Sequence, residues 1–196
     1  MNSVLLKTSN FVSGYGTRDA FFRTIQCAAK LVALLTSNDD VTKKQVLMRI
    51  VTLLGTSRKY FAIGNVLKEM NNFKITLDSS YENPEFFLRV LKSGGMLGFF
   101  AMDNLNAITS LTSNTIIPYT SSIGNLSFLV AVLSSIGLEY IKEEQDEPLK
   151  RYIRYVKIAT ELIIALNGLG LIKLPEEFST LMGLVSAGLC CVESLQ

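Results

Sequence analysis

The chain has 196 residues, of which 48% are hydrophobic and only 18% charged, and its mean hydropathy is +0.32. This composition favours a membrane protein over a soluble enzyme. The net charge of +2 is unevenly distributed: residues 1–93 carry 13 Lys/Arg and 7 Asp/Glu, a balance of +6, whereas residues 94–196 carry 6 and 10, a balance of −4. Basic residues interleaved with apolar ones, followed by an acidic and apolar half, argue against a nucleic-acid partner.

Several kinds of chemistry have no residues to support them. The sequence contains no His, which removes the usual general base and the commonest metal ligand. The three cysteines, two of which are the adjacent Cys190 and Cys191, make neither a disulfide framework nor a CxxC metal motif. We therefore expect no enzymatic activity, no cofactor and no metal site.

Residues 17–31 (TRDAFFRTIQCAAKL) predict an amphipathic helix with basic residues near the start of the chain. Apolar residues recur at steps of three and four and share one helix face. They are Phe21, Ile25, Ala28, Val32 and Leu35. Such a helix is typical of a protein that works at a bilayer surface, and equally of a helix that packs into the core of a soluble bundle.

Two more helices are predicted before residue 80. The cluster at 37–40 offers Asp39 or Asp40 as a cap for a helix over Thr42–Leu54, and Gly55 and Ser57 are predicted to interrupt it.

A third helix is predicted over Arg58–Phe73. Its apolar stripe is predicted to insert into a membrane, and its basic residues to bind lipid headgroups. The inserting residues are Tyr60, Phe61, Ile63, Val66, Leu67, Met70 and Phe73, and the headgroup residues are Arg58, Lys59, Lys68 and Lys74.

The composition of the chain changes at Gly94, where glycine and apolar residues become frequent. The following helix is rich in glycine, and the spacing of Gly94 and Gly98 favours close helix packing, but Asp103 makes this segment a costly lipid-facing span. The best membrane-spanning candidate is 123–141, whose length is close to that of the hydrocarbon core. A charged, solvent-exposed connection over 142–157 follows it.

Two apolar stretches, Val156–Ile172 and Phe178–Val192, end the chain. They are consistent with a tight hairpin, two membrane-dipping helices or the packed end of a bundle, so the number of spans stays open. The small residues Gly183, Ser186 and Gly188 suit helix packing.

We therefore predict an all-α protein in which amphipathic N-terminal helices precede apolar helices that associate with or span a membrane. Residues 1–93 are predicted to form a basic region in the cytosol or on the membrane surface. Residues 94–196 are predicted to form an apolar membrane region.

Four segments resemble the peroxin-eleven family. Residues 17–31 resemble its opening signature, with Ala20 and Cys27 in place of the usual Lys and aromatic residue. Residues 56–70 (TSRKYFAIGNVLKEM) are similar to its Ser-x-Arg-Lys segment and the helix that follows. Residues 99–105 (FFAMDNL) resemble its Asp-Asn-Leu element, and 174–189 its C-terminal Gly-x-x-Ser region.

The resemblance implies an integral protein of the peroxisomal membrane, or of a related organelle such as the glycosome, with its N-terminal region in the cytosol. Such proteins elongate the membrane before fission through an amphipathic helix, which Arg58–Phe73 matches here. The resemblance also implies homo-oligomers, anionic membrane lipids as partners, and cooperation with a fission adaptor and a dynamin-type GTPase.

Two alternatives stay open. The resemblance also admits a channel for small metabolites in the same membrane, and Asp103 or Glu161 would then line its pore. If those carboxylates do not line a pore, they are expected at helix ends or in contacts between helices. The second alternative is a structural scaffold whose amphipathic helices pack on one another and never contact lipid.

Overall fold

The computed structural model describes residues 15–36, 40–80, 83–112, 119–141 and 148–195, and gives the backbone alone for 15–17, 59–63, 110–112 and 194–195. These ranges contain helices and no strand, which confirms the all-α prediction. The helices are α1 (Tyr15–Leu35), α2 (Val41–Leu77), α3 (Asn83–Thr112), α4 (Thr120–Ile141), α5 (Pro148–Gly168) and α6 (Glu176–Leu195).

The chain forms two compact units. Unit 1 comprises residues 1–61 together with 173–196, and unit 2 comprises residues 62–172. These units are defined by packing, whereas the division into residues 1–93 and 94–196 rests on charge and hydropathy. That division stays a prediction.

Helix α2 is one continuous helix of 37 residues. The interruption predicted at Gly55 and Ser57 is therefore wrong. A single glycine within a helix costs only about 1 kcal/mol relative to alanine, and the Ser57 hydroxyl bonds to the Leu53 carbonyl over 3.0 Å within the helix. The predicted cap is confirmed, because Oδ1 of Asp40 accepts a hydrogen bond from the Lys43 amide over 3.2 Å.

In unit 1, α1 packs antiparallel to α6. The pairs that meet run in opposite directions along the two helices: the Thr24 hydroxyl lies 3.8 Å from the sulfur of Cys191, and Lys30 forms an ion pair with Glu176 over 2.8 Å. Between them, a Cβ at Gly183 would lie 3.2 Å from the sulfur of Cys27.

The face of α1 that packs is not its apolar stripe. Ala20 and Ala33 are buried, whereas the large apolar residues of the predicted stripe are exposed. These residues are Phe21, Ile25, Val32 and Leu35. Small residues permit closer approach of two helices than large ones do, so α1 joins unit 1 by its small and polar face and leaves its apolar face outside.

Unit 2 is built on a core at the centre of α4 and α5. Phe128, Val132 and Ala165 are buried there, and partly buried apolar residues of α3, α4 and α5 surround them. The surrounding residues are Met96, Phe99, Leu129, Ile158, Leu162 and Ile164. The rings of Phe99 and Phe128 pack with centroids 5.0 Å apart.

Helix α5 begins at Pro148, so the predicted charged connection is shorter than the sequence indicated. Proline fits the first turn of a helix because its missing N–H has no intrahelical partner there in any case. The helical start places Arg154 against α4, where its Nε donates to Oε2 of Glu139 over 2.9 Å. Glu139 of α4 thus lies in a contact with α5.

Candidate membrane-contacting surfaces

The described part of the predicted inserting helix has a clear outer face. Leu67 and Met70 are 64% and 54% exposed, and they lie three residues apart on α2. The side chains of Tyr60, Phe61 and Ile63 lie outside the described residues. The structure therefore places two of the seven predicted residues on an open apolar surface, while the insertion itself stays a prediction.

The opposite side of this part of α2 packs within unit 2. A Cβ at Gly94 of α3 would lie 3.5 Å from the Phe73 ring, and the hydroxyls of Thr76 and Ser93 lie 3.4 Å apart. Val66 and Phe73 are half-buried. α2 therefore combines a packed side with an exposed apolar side, which is the arrangement that a surface helix needs to contact lipid while it remains attached to the protein.

The predicted headgroup residues have different surroundings. Lys68 and Lys74 are exposed on α2, whereas the side chain of Lys59 lies outside the described residues. Arg58 is held by protein groups: its guanidinium bonds to Asp19 over 2.7 Å and to Gln26 over 2.9 Å. Lysines with free rotation in water are suited to anionic headgroups, so Lys68 and Lys74 are the candidates that the structure leaves accessible.

The two carboxylates considered for a pore lie on different helices. Asp103 is exposed on α3, and Glu161 is half-buried on α5. A pore lined by either residue stays a prediction.

The small residues of α6 divide into packed and open positions. Gly183 contacts Cys27 of α1, and Ser186 is fully buried, with a hydroxyl that has no hydrogen-bond partner among the described residues. Gly188 has open space around it. Gly183 and Ser186 are therefore occupied by packing within unit 1, and of these three residues only Gly188 leaves room for another helix.

The ion pair between Lys30 and Glu176 is an electrostatic link of the α1–α6 contact. A hydrogen bond from Lys30 and its positive charge hold the pKa of Glu176 below the usual value of 4.5. Glu176 lies in the first turn of α6, where the helix dipole also favours a negative charge.

The close approach of α4 to Gly95 of α3 was not predicted from the sequence. A Cβ at Gly95 would lie 2.6 Å from the carbonyl oxygen of Ser127 and 2.9 Å from the amide nitrogen of Ala131. A Cβ at Gly98 would lie 2.8 Å from the hydroxyl of Ser127. The glycines at which α4 packs closely against α3 are therefore Gly95 and Gly98, rather than the predicted Gly94 and Gly98. The GxxxG spacing did not reveal this, because it does not say which face a partner helix takes.

Helix α4 has an exposed apolar side in unit 2. It is the one helix in the described part of the chain that is long and apolar enough to cross a membrane, judged by length and composition. One side of α4 packs in the core, and large apolar residues line the other. The exposed ones include Ile123, Leu126, Leu133 and Ile136. The apolar run over 123–141 predicted this helix from the sequence.

Comparison with known proteins identifies the family. The family model for peroxisomal biogenesis factor 11 (PEX11) matches residues 5–142, well over half of the chain. The match includes three of the four segments that resemble the peroxin-eleven family, and the segment at 174–189 lies outside it. No curated protein and no solved structure matches the chain significantly. The chain therefore belongs to the peroxisomal biogenesis factor 11 family, whose members associate with the peroxisomal membrane.

Proposed function

We propose that this protein elongates the membrane of the peroxisome, or of a related organelle such as the glycosome, before fission. The observation that carries the proposal is the exposed apolar face of α2 at Leu67 and Met70, next to the exposed Lys68 and Lys74. The choice of organelle rests on membership of a peroxisome biogenesis family.

The mechanism is insertion into one leaflet. Leu67 and Met70 enter the boundary between headgroups and acyl chains. Lys68 beside this face and Lys74, two turns from Leu67 on the same face, extend to the anionic headgroups. Insertion enlarges the outer leaflet relative to the inner one, and the bilayer relieves the difference by curving towards the protein. Many copies acting together extend a vesicle into a tubule.

Self-association belongs to the proposal because one inserted helix bends the bilayer only locally. Gly188 on α6 has open space, so a contact between two copies through α6 would be centred there. The elongated membrane is then the substrate for a fission adaptor and a dynamin-type GTPase, partners that the family resemblance suggests.

The proposal places the protein integrally in the membrane with its N-terminal region in the cytosol. Helix α4 supplies the apolar length for integration. The charge balance of +6 over residues 1–93 agrees with the tendency of cytosolic segments to be rich in Lys and Arg.

The test compares two leucines of the same helix with nearly equal exposure. Leu67 is 64% exposed within the predicted inserting segment, and Leu53 is 67% exposed outside it. We expect Leu67→Asp to abolish tubulation of vesicles that contain anionic lipid, because a carboxylate on the inserting face must enter the acyl region. Leu53→Asp should retain it.

The readout is electron microscopy of vesicles with the full-length protein, with circular dichroism to confirm equal helix content. Normal tubulation by Leu67→Asp would exclude α2 as the inserting element. Equal loss in both variants would show that any charge on α2 is harmful and would overturn the assignment to residues 58–73.

A further inference from the structure

Helix α5 runs antiparallel to α4 along its length. Near the start of α5, Nε of Arg154 donates to Oε2 of Glu139, which lies near the end of α4, over 2.9 Å. At the other end of the contact, the side-chain amide of Asn125 donates to the carbonyl of Gly168 over 2.8 Å. The start of α5 therefore lies beside the end of α4.

Helix α3 is also antiparallel to α4. A Cβ at Gly137 would lie 2.9 Å from a methyl carbon of Leu88 near the start of α3, and a Cβ at Gly124 would lie 3.3 Å from the Cβ of Met102 further along it. The starts of α3 and α5 and the end of α4 thus form one end of unit 2. We call this the basic end, and it comprises residues 83–93, 137–141 and 148–157.

The basic end has a marked excess of positive charge. It contains six Lys/Arg and two Glu, a balance of +4, which falls only to +3 when Glu161, one turn beyond Lys157, is included. Both glutamates are paired with an arginine of the same end: Glu85 with Arg89 over 2.6 Å, and Glu139 with Arg154 over 2.9 Å. The other four cations are Lys92, Lys150, Arg151 and Lys157.

The helices carry few charges away from this end. No residue in 104–138 is charged, and none in 162–172 is. On α4, the exposed Leu133 and Ile136 share a face with Tyr140, since they precede it by seven and four residues. An exposed apolar face therefore leads directly to the basic end.

Exposed tyrosines lie where this apolar face meets the cations. Tyr140 is 76% exposed, Tyr152 66% and Tyr155 42%. Lys150 is exposed in the first turn of α5, and the half-buried Arg151 lies next to Tyr152 and one turn from Tyr155. Tyrosine has an apolar ring and a polar hydroxyl, and it is enriched at the level of the lipid headgroups for that reason.

We propose that the basic end of unit 2 binds the headgroups of anionic phospholipids. The rings of Tyr140, Tyr152 and Tyr155 lie at the headgroup level, and Lys150 and Arg151 extend to the phosphate groups. A bilayer matches both the charge and the adjoining apolar face, whereas an acidic protein would match the charge alone. This surface is separate from the α2 face at Leu67 and Met70, and it requires membrane association without requiring insertion of α2.

The test uses tryptophan fluorescence, because the chain contains no Trp. Tyr140→Trp and Tyr152→Trp each place one reporter at the basic end of the full-length protein. Tyr119→Trp places one beside the start of α4, at the opposite end, where the side chain is 76% exposed. Each variant is reconstituted into mixed vesicles of phosphatidylcholine and phosphatidylserine. Quenching by a brominated form of either lipid then gives the relative affinity of the two lipids at that position.

Positions 140 and 152 should prefer phosphatidylserine by about fivefold, the factor that one cation near the surface supplies, and position 119 should show no preference. Adding Lys150→Gln and Arg151→Gln to Tyr152→Trp should abolish the preference. The matched control adds Lys43→Gln and Lys44→Gln, which removes an adjacent pair of cations from α2 in unit 1 and should leave the preference unchanged. Circular dichroism checks that helix content is equal.

Four results would overturn the proposal. They are the lack of a preference at positions 140 and 152, an equal preference at position 119, a preference that survives the loss of Lys150 and Arg151, and the lack of quenching by either lipid at the basic end. The last result would leave this surface to a protein partner. Tubulation is not measured, so the proposed function and the lipid site fail independently.

Discussion

Nε of Arg58 donates a hydrogen bond to Oδ1 of Asp19 over 2.7 Å, and Nη1 of the same guanidinium donates to Gln26 over 2.9 Å. Gln26 in turn donates to the carbonyl of Val51 over 3.1 Å. This network joins α1 to the N-terminal part of α2 inside unit 1. Binding of Arg58 to a lipid headgroup would therefore compete with a partly buried ion pair.

The first prediction concerns that network. Arg58→Met should lower the free energy of unfolding by about 2 kcal/mol, because it removes two charge-assisted hydrogen bonds and leaves Asp19 partly buried without its counter-charge. Lys68→Met, at an exposed position of the same helix, should change it by less than about 0.5 kcal/mol. Urea unfolding in detergent micelles measures both. Equal stability of the two variants would show that the network contributes nothing.

The second prediction concerns the seam between α3 and α4. Gly95→Ala should destabilise the protein by about 1–3 kcal/mol, because its Cβ would lie 2.6 Å from a backbone oxygen that cannot rotate away. The matched control is Gly188→Ala in α6, where nothing lies within 4 Å. There the better helix propensity of alanine should stabilise by up to about 1 kcal/mol. Thermal unfolding of the two variants, followed by circular dichroism, should shift in opposite directions.

The third prediction concerns the ion pair between α4 and α5. Glu139→Gln and Arg154→Met should each destabilise the protein by about 1–2 kcal/mol, since both side chains are largely buried and their bond is charge-assisted. The double variant should lose less than the sum, because either single change already breaks the contact. Strict additivity in this double-mutant cycle would mean that the two residues act independently.

The fourth prediction concerns pH. The folded-state pKa of Glu176 lies below 4.5, so its ion pair with Lys30 favours the folded state above pH 4.5 and loses that effect as the pH falls through the lowered pKa. Glu176 is exposed, so the effect should be small. Lys30→Met should raise the pKa of Glu176 towards its ordinary value, which a carboxyl NMR titration would detect. An unchanged pKa of Glu176 in this variant would show that Lys30 does not cause the lowering.

Much of the fold follows from local sequence. The helical spacing of apolar residues predicts an all-α chain, and the apolar run at 123–141 predicts the helix now seen at Thr120–Ile141. Asp40 as a cap follows from the ordinary preference of helix starts. These features depend on neighbours within a few turns, which is the information that periodicity and capping rules use.

The family could also be recognised from the sequence, because four short segments resemble family segments and occur in the same order. Leu67 and Lys68 could be assigned to the candidate site from the sequence because their positions around a helix depend only on their spacing along the chain. The exposure of these two side chains depends on how α2 packs, which only the tertiary structure shows.

The partners of each helix were decided by the tertiary structure. The apolar stripe of α1 is equally typical of a lipid-facing and of a core-facing helix, and the structure packs α1 by Ala20 and Ala33 instead, because the small residues of α6 permit a close contact. Gly55 does not end α2, and Gly95 rather than Gly94 meets α4. The basic and amphipathic character of TRDAFFRTIQCAAKL is a property of the sequence itself. Which side of that helix is left for lipid or another protein is set by distant residues, since a face is buried only when a partner of fitting shape reaches it.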